Sequence, residues 1–597
     1  MRRGLLIFSA CLLAVLAAGP QEALAHATLE STIPERGVTV ARSPAQVVFV
    51  FDESVEGNFG AARTFNSKGE RVDDGSPFHP GGAGERLAVK LKPSLPAGTY
   101  TATYRVVSAD SHIVSGGFVF SVGHPTTVGQ TVEQLVGHSD AGGVTRTAFT
   151  VARALQYASV ALAGGVLVFL LLVWGRALAS VAGAGATWRR ASAAFVGRAR
   201  LLILVAAVAG TVSALGAVVL EAAEAAGLTA WSAIRPSVLR EVAGTKFGTV
   251  WTIAAVCWLV VGAAAAFLLA EGRRAAPVLR PASLGATGSA LARPQARSLI
   301  PLLVPVGFLC LVPALSGHGS TQSPTLVMFP ANVAHVVAMT CWVGGIAALL
   351  FAVPSATRTL DASDRSTLLS AVLVRFSALA LGAVTLLLLT GLVQSFVEIR
   401  HLDLIFTTAF GRAVAIKLGL VLVLMALGAL HRRRTIPSIQ RAAEQRRSPA
   451  ADGVLLRRVL RAEILLMATA LVVTGALAGY PPPTSQAAGP YAATTRVGPQ
   501  DLQLTVDPAR VGANQVHLYL TDPKTGAQLD RAKEVRIAAV QPRKRIGPIE
   551  ASAEKAGPGH YVAPGLVLGV PGDWKLTVSV RVSDFDEYTT TVKVPVR

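Results

Sequence analysis

Residues 329–353 read FPANVAHVVAMTCWVGGIAALLFAV, an apolar run without a single aspartate, glutamate, lysine or arginine. As a helix this run rises roughly 37 Å at about 1.5 Å per residue, enough to cross the ~30 Å hydrocarbon core of a bilayer. Similar runs lie at about 149–174, 201–221, 250–271, 299–317, 373–396, 412–430 and 459–479. A helix satisfies its own backbone polar groups in lipid, so these runs predict an eight-helix transmembrane bundle over 148–480. Composition agrees: the 597 residues are 52% hydrophobic and only 15% charged, which excludes one large water-soluble core.

Charge sets the expected orientation. The formal net charge is +20, which in another chain would suggest nucleic acid. Here the arginines cluster in alternate connections between the apolar runs. They include Arg189 and Arg190, Arg273 and Arg274, Arg358 and Arg365, and the series Arg432, Arg433, Arg434, Arg441, Arg446 and Arg447. The connection at 318–328 carries no charged residue at all. This asymmetry follows the positive-inside rule and predicts a bilayer, not nucleic acid, as partner. Residues 1–25 read as a secretory signal peptide, with Arg2 and Arg3, an apolar centre, and Ala23-Leu24-Ala25 before the cut. Export of the domain that begins at His26 places both ends of the mature chain outside the cytoplasm, in the bacterial inner membrane.

Two β domains flank the helices. At 26–123, the segments 46–51, 86–91, 99–107 and 113–122 are rich in valine, phenylalanine, tyrosine and threonine, with Asp73-Asp74-Gly75 and Pro96-Ala97-Gly98 as turns. That spacing predicts an all-β sandwich. A polar linker occupies 124–147. After a second linker at 481–497, opened by prolines, alternating runs such as 516–520 and 574–582 predict another all-β sandwich at 498–597. Apart from Cys11 in the leader, the cysteines Cys257, Cys310 and Cys341 sit in apolar runs, so no disulfide framework is expected outside the membrane.

Cleavage after Ala25 makes His26 the amino terminus. A terminal histidine chelates through its α-amine and its ring Nδ1, and an amine with a pKa near ~8 readily yields its proton to a metal. Asp110 and His112 stand two apart, so in extended backbone they share a side. One amine, two imidazoles and a carboxylate suit tetragonal Cu(II), whereas four-coordinate zinc prefers a tetrahedron.

The motif His26-Ala27-Thr28-Leu29 with Ser31 and Pro34, the strand Phe49-Val50-Phe51-Asp52, and Tyr104-Arg105-Val106-Val107-Ser108-Ala109-Asp110-Ser111-His112 with Gly116 and Phe118 resemble the CopC family. CopC proteins are periplasmic copper carriers with a β-sandwich fold. The resemblance implies that His26, Asp110 and His112 bind Cu(II). The methionine-rich Cu(I) segment of some CopC members is missing from 26–123.

Polar side chains within a membrane span are costly and mark function. The fifth run holds Met328, Asn332, His335, Met339 and Trp342 at helical steps that place them on one face. Imidazole and thioether suit copper, the thioether favouring Cu(I). His318, in Gly317-His318-Gly319-Ser320, stands at the mouth of the fourth run and could hand metal to His335 and Met339. Packing by the methionines and an interhelical hydrogen bond by His335 are the competing reading. Glu221 and Glu398 read as solvated groups at helix ends, with Arg412 and Lys417 as possible neutralising charges.

His335 to Gly345, Arg375-Phe376-Ser377, Gly411-Arg412 with Lys417, and Arg461-Ala462-Glu463 resemble the CopD family, most clearly over 299–483. CopD proteins are inner-membrane proteins linked to copper import or resistance. Gly557-Pro558-Gly559-His560-Tyr561 and Gly572-Asp573-Trp574-Lys575 resemble YtkA-like exported domains. His517 and His560 are candidate ligands there, each without a spaced partner in the sequence.

The expected function is copper binding outside the membrane and copper transport across it, with no catalytic residue or further cofactor assigned. Sequestration or sensing of copper without transport is the alternative. A histidine-brace copper oxidase and a haem electron-transfer protein are the remaining rivals; Asp110 would crowd an oxygen site, and His335 lacks a second histidine at its depth.

Overall fold

The computed structural model describes residues 27, 29–57, 61–109, 113–124, 126, 135, 141–182, 186–275, 299–399, 401–448, 450–480, 482–483, 491–507, 509–523, 529–557 and 559–596. These form two compact units. One takes in Gly142–Ala222 and Ala233–Pro483; the other holds the β regions with Ala223–Ser232.

The N-terminal β region has strands β1 (Leu29–Ile33), β2 (Thr39–Val40), β3 (Gln46–Phe51), β4 (Ala62–Phe65), β5 (Asp73–Phe78), β6 (Arg86–Leu91), β7 (Gly98–Val107) and β8 (Ile113–Val122). They make two four-stranded sheets, β1-β3-β6-β5 and β2-β8-β7-β4. Phe49, Phe51, Leu87 and Phe120 are fully buried between them. Each such side chain contributes roughly 2 kcal/mol by leaving water. Phe49 and Phe51 meet the Tyr104 ring edge-on at 5.4 and 5.2 Å, the arrangement aromatic quadrupoles prefer. The Asp73-Asp74-Gly75 segment is not a turn. It opens β5, where buried Asp73 accepts from Thr64 N at 2.9 Å and pairs with Arg71. Gly75, at φ 82°, supplies the irregularity between Asp74 and Phe78 in the β5–β6 register, a bulge that favours glycine.

The C-terminal β region has β9 (Tyr491–Val497), β10 (Gln500–Asp507), β11 (Gly512–Thr521), β12 (Glu534–Gln541), β13 (Ile546–Gly557), β14 (His560–Leu568), β15 (Gly572–Arg581) and β16 (Glu587–Val596). Their order is β16-β15-β12-β13-β14-β11-β10-β9, and the sheet curls so that β9 also packs beside β16. Strand alternation in β10 turns Leu502, Leu504 and Val506 into the core around Trp574. The 481–497 segment expected as linker thus ends in a strand, because Ala492 to Val497 pair in register with β10.

Among the described residues, the helical unit has seven helices long and apolar enough to span a membrane: α1 (Gly142–Val181), α2 (Ala186–Ala226), α3 (Lys246–Ala270), and, after the shorter α4 (Ile300–Leu315), α5 (Thr325–Thr357), α6 (Ala362–Glu398), α7 (Ala409–Glu444) and α8 (Asp452–Leu477). All eight expected runs are helical. The fourth rises only about 24 Å at 1.5 Å per residue, short of a full crossing. Helix α1 begins seven residues earlier than its apolar run, so the end of the 124–147 linker is helical. Helices α1 and α5 cross backbone to backbone: a Cβ on Gly165 would lie 2.5 Å from Gly344 Cα. Small residues permit such contact in lipid. Gln156 Oε1 of α1 accepts from Ser213 Oγ of α2 at 2.9 Å and Trp258 Nε1 of α3 at 3.0 Å. Asp361 caps α6 by accepting from Asp364 N at 2.8 Å, and Thr408 caps α7 by accepting from Gly411 N at 3.0 Å.

Candidate functional site

His26, Asp110 and His112 lie outside the described residues; their flanking residues are described. Ala27 is buried in the sandwich core, and Leu29 stands opposite Phe51. Strands β7 and β8 are antiparallel neighbours with Val107 opposite Ile113. Two residues beyond Phe51, Glu53 Oε1 accepts from Ala109 N at 3.2 Å. The start of β1 and the join between β7 and β8 therefore fall at one end of the sandwich.

Arg36 fixes that end to the C-terminal sheet. Its Nη2 donates to Leu29 O at 2.9 Å, and its Nη1 forms an ion pair with Asp507 of β10, both side chains largely buried. Burial holds the Asp507 carboxyl above its usual pKa even beside Arg36. Arg36 also acts electrostatically on His517.

His517 and His560 do have partners: each other. They are 43 positions apart in sequence, but β11 and β14 are paired with Tyr519 opposite His560 and His517 opposite Val562. His517 Nδ1 lies 3.2 Å from His560 Nε2, Gln515 Oε1 is 3.3 Å from His517 Nε2, and Tyr519 stacks on His560 at 4.3 Å. Both histidines are buried. Burial first, then Arg36, pushes His517 down to about 4. Burial first, then His517, pushes His560 down to about 3. Burial disfavours the charged imidazolium, so both rings are neutral at pH 7.

In the helical unit, the α5 face meets α6. His335 Nδ1 lies 3.0 Å from Thr390 Oγ1, and Thr390 Oγ1 donates to Leu386 O at 2.7 Å. With that hydroxyl proton committed, His335 is the donor through Nδ1, and its Nε2 keeps the lone pair a metal needs. Asn332 Nδ2 donates to Gln394 Oε1 at 3.4 Å. The His335 ring packs over Gly391, where a Cβ would stand 3.3 Å from Cε1. Met328 is buried and Met339 half-buried. His318 belongs to the turn His318–Ser320; its side chain lies outside the described residues. The next residue, Gly319, packs on Asn332, with a 3.2 Å separation from a Cβ there. The Lys417 charge reaches both His335 and Glu398. Glu221 is not a solvated rim group: it is only 3% exposed.

Sequence reasoning missed His431 and gave Glu463 no role. His431 reads as the first polar residue of an arginine-rich connection. Instead α7 continues through it in a wide π-type turn, His431–Thr435, and His431 Nε2 faces Glu463 Oε1 at 3.8 Å. Both side chains line a cavity of about 270 Å³ with Trp342 and Met425. Among the described residues, no three histidine, cysteine, aspartate or glutamate side chains converge as a metal cage.

Residues 29–123 match the family model described as CopC domain. Residues 144–292 match Copper resistance protein D-like, N-terminal domain, and 370–477 match Copper resistance protein D. The first three spans, where the resemblance is loosest, thus have a match of their own. The chain is 28% identical over 579 residues to Copper transport protein CutJ of Bacillus subtilis (strain 168), covering 95% of each. It is 34% identical over 98 residues to Protein YobA of Escherichia coli (strain K12), covering 16% of this chain and 79% of YobA. The crystal structure of CopC from Methylosinus trichosporium OB3b aligns at 30% identity and a TM-score of 0.16, over 17% of this chain and 95% of that one. One polypeptide thus carries a CopC domain and copper resistance protein D domains.

Proposed function

We propose that this protein captures cupric ion outside the bacterial inner membrane and passes copper inward through its helical unit. In this reading the mature chain starts at His26, whose amine and ring bind the metal with Asp110 and His112. Both β regions lie outside the cytoplasm, and the arginine-rich connections lie inside, as the charge asymmetry supports. The helical route runs from the turn of His318 along Asn332, His335 and Met339.

The observation that carries the route is the His335–Thr390 bond. It commits Nδ1 and leaves Nε2 as a ligand within a span where an unused imidazole would be a liability. Thioether and imidazole along α5 favour Cu(I), so an external one-electron reductant such as a thiol converts Cu(II) to Cu(I) before passage. Copper accumulation by intact cells tests the proposal. His26→Ala and His335→Ala should each lower it by at least fivefold at limiting copper. Wild-type uptake by both variants would refute it. The Lys417 charge near His335 opposes a cation and favours a second reading, sequestration without transport. That reading predicts unchanged cellular copper but lost tolerance when the protein is deleted.

A further inference from the structure

The cavity between α5, α6, α7 and α8 has a property the α5 route does not use. Two of its buried wall groups, His431 at 9% and Glu463 at 3% exposure, present atoms without a hydrogen-bond partner in the protein: His431 Nε2 and Glu463 Oε2. His431 Nδ1 lies 3.3 Å from Thr435 Oγ1, which leaves Nε2 as the free ring atom. The 3.8 Å between Nε2 and Glu463 Oε1 is too long for a hydrogen bond. A buried, unpaired carboxylate costs several kcal/mol, and such groups persist where something else pairs them.

We propose that this cavity is a second copper site, in which His431 Nε2, the Glu463 carboxylate and the Met425 thioether hold a cuprous ion. With metal–ligand bonds of about 2.1 Å, the 3.8 Å nitrogen–oxygen separation corresponds to an angle of about 130° at the ion. That angle suits low-coordinate geometry with a third ligand, and Met425 lines the same cavity. Imidazole and thioether select soft, monovalent copper. Glu463 is the one carboxylate of the lining and Arg432 its one guanidinium, so a monovalent ion leaves less charge in this largely apolar chamber than a divalent one would. The wide turn His431–Thr435 is the local device that sets the ring; π-type turns recur at functional positions. Trp342, the last residue of the α5 stripe, forms part of the wall, so the cavity continues the route from His335 and Met339. The proposal rests on copper passage through the helical unit and names where the ion pauses beyond His335.

The test uses the full chain in nanodiscs with the amino-terminal chelate disabled by His26→Ala. Cu(I) is titrated anaerobically against a competing chelator, and retained copper is counted. The His26→Ala parent should keep a cuprous ion bound through nitrogen and sulfur in X-ray absorption. Adding His431→Ala or the isosteric Glu463→Gln should weaken that binding at least tenfold, and Met425→Leu should remove the sulfur contribution. Monodisperse elution at the parent's position and an unchanged Cu(II) EPR signal in His431→Ala with His26 restored establish that the variants fold. Unchanged Cu(I) affinity in both His431→Ala and Glu463→Gln overturns the site, as does zinc held as tightly as Cu(I). Wild-type cells that fail to accumulate copper, while the purified protein still binds Cu(I) here, would overturn transport but not the site.

Discussion

Lowering the pH from 7.5 to 5.0 should loosen the C-terminal sheet selectively. His517 and His560 are buried and neutral, with pKa values pushed down to about 4 and about 3. An unfolded imidazole titrates near ~6.5. Below that value the unfolded segment binds protons that the folded sheet refuses. The contribution is therefore fully present above pH 6.5 and is lost as pH falls toward the folded values. The slope is about 1.4 kcal/mol per pH unit for each histidine, so at pH 5.0 each costs about 2 kcal/mol and the pair about 4 kcal/mol. Hydrogen exchange of the full chain, corrected for the intrinsic rate at each pH, reads this directly. Amides of β11 and β14 should lose protection by that margin, while those of β3 and β6 lose less. Replacing both histidines with glutamine should flatten the pH dependence. Equal protection of β11 and β14 at pH 7.5 and 5.0 would show that the two histidines are not held neutral by burial.

Two other perturbations probe packing. Arg36→Ala strands a largely buried Asp507 and removes a donor to Leu29 O; it should destabilise the β unit by about 3 kcal/mol, seen as lost protection in β1 and β10. Unchanged exchange there would mean the ion pair contributes nothing. Gly344→Ala places a methyl group against Ala161 O and Gly165 across the α1–α5 crossing. It should cost roughly 2 kcal/mol or more and lower the thermal midpoint in detergent; an unchanged midpoint would show that the helices do not pack this closely.

The membrane domain was legible because a run such as 329–353 has only one stable form in lipid, and the strands at 46–51 and 113–122 because their composition and alternation persist over whole segments. Long-range pairing was not legible. His517 meets His560 only through the register of β11 on β14, which no local spacing encodes. His431 and Glu463 sit on different helices, and the arginines after His431 mask the continuation of α7. Asp73-Asp74-Gly75 misled because the same glycine chemistry serves a turn and a bulge. The resemblance to CopC and CopD carried the function, where spacing alone supplied only an aspartate and a histidine two apart.

The most direct test of copper capture is the cupric affinity of the mature full-length chain, measured by chelator competition with and without His26→Ala. The affinity should fall at least a hundredfold, since removing the terminal ring breaks the amine–imidazole chelate. Equal affinity in the two proteins would contradict it.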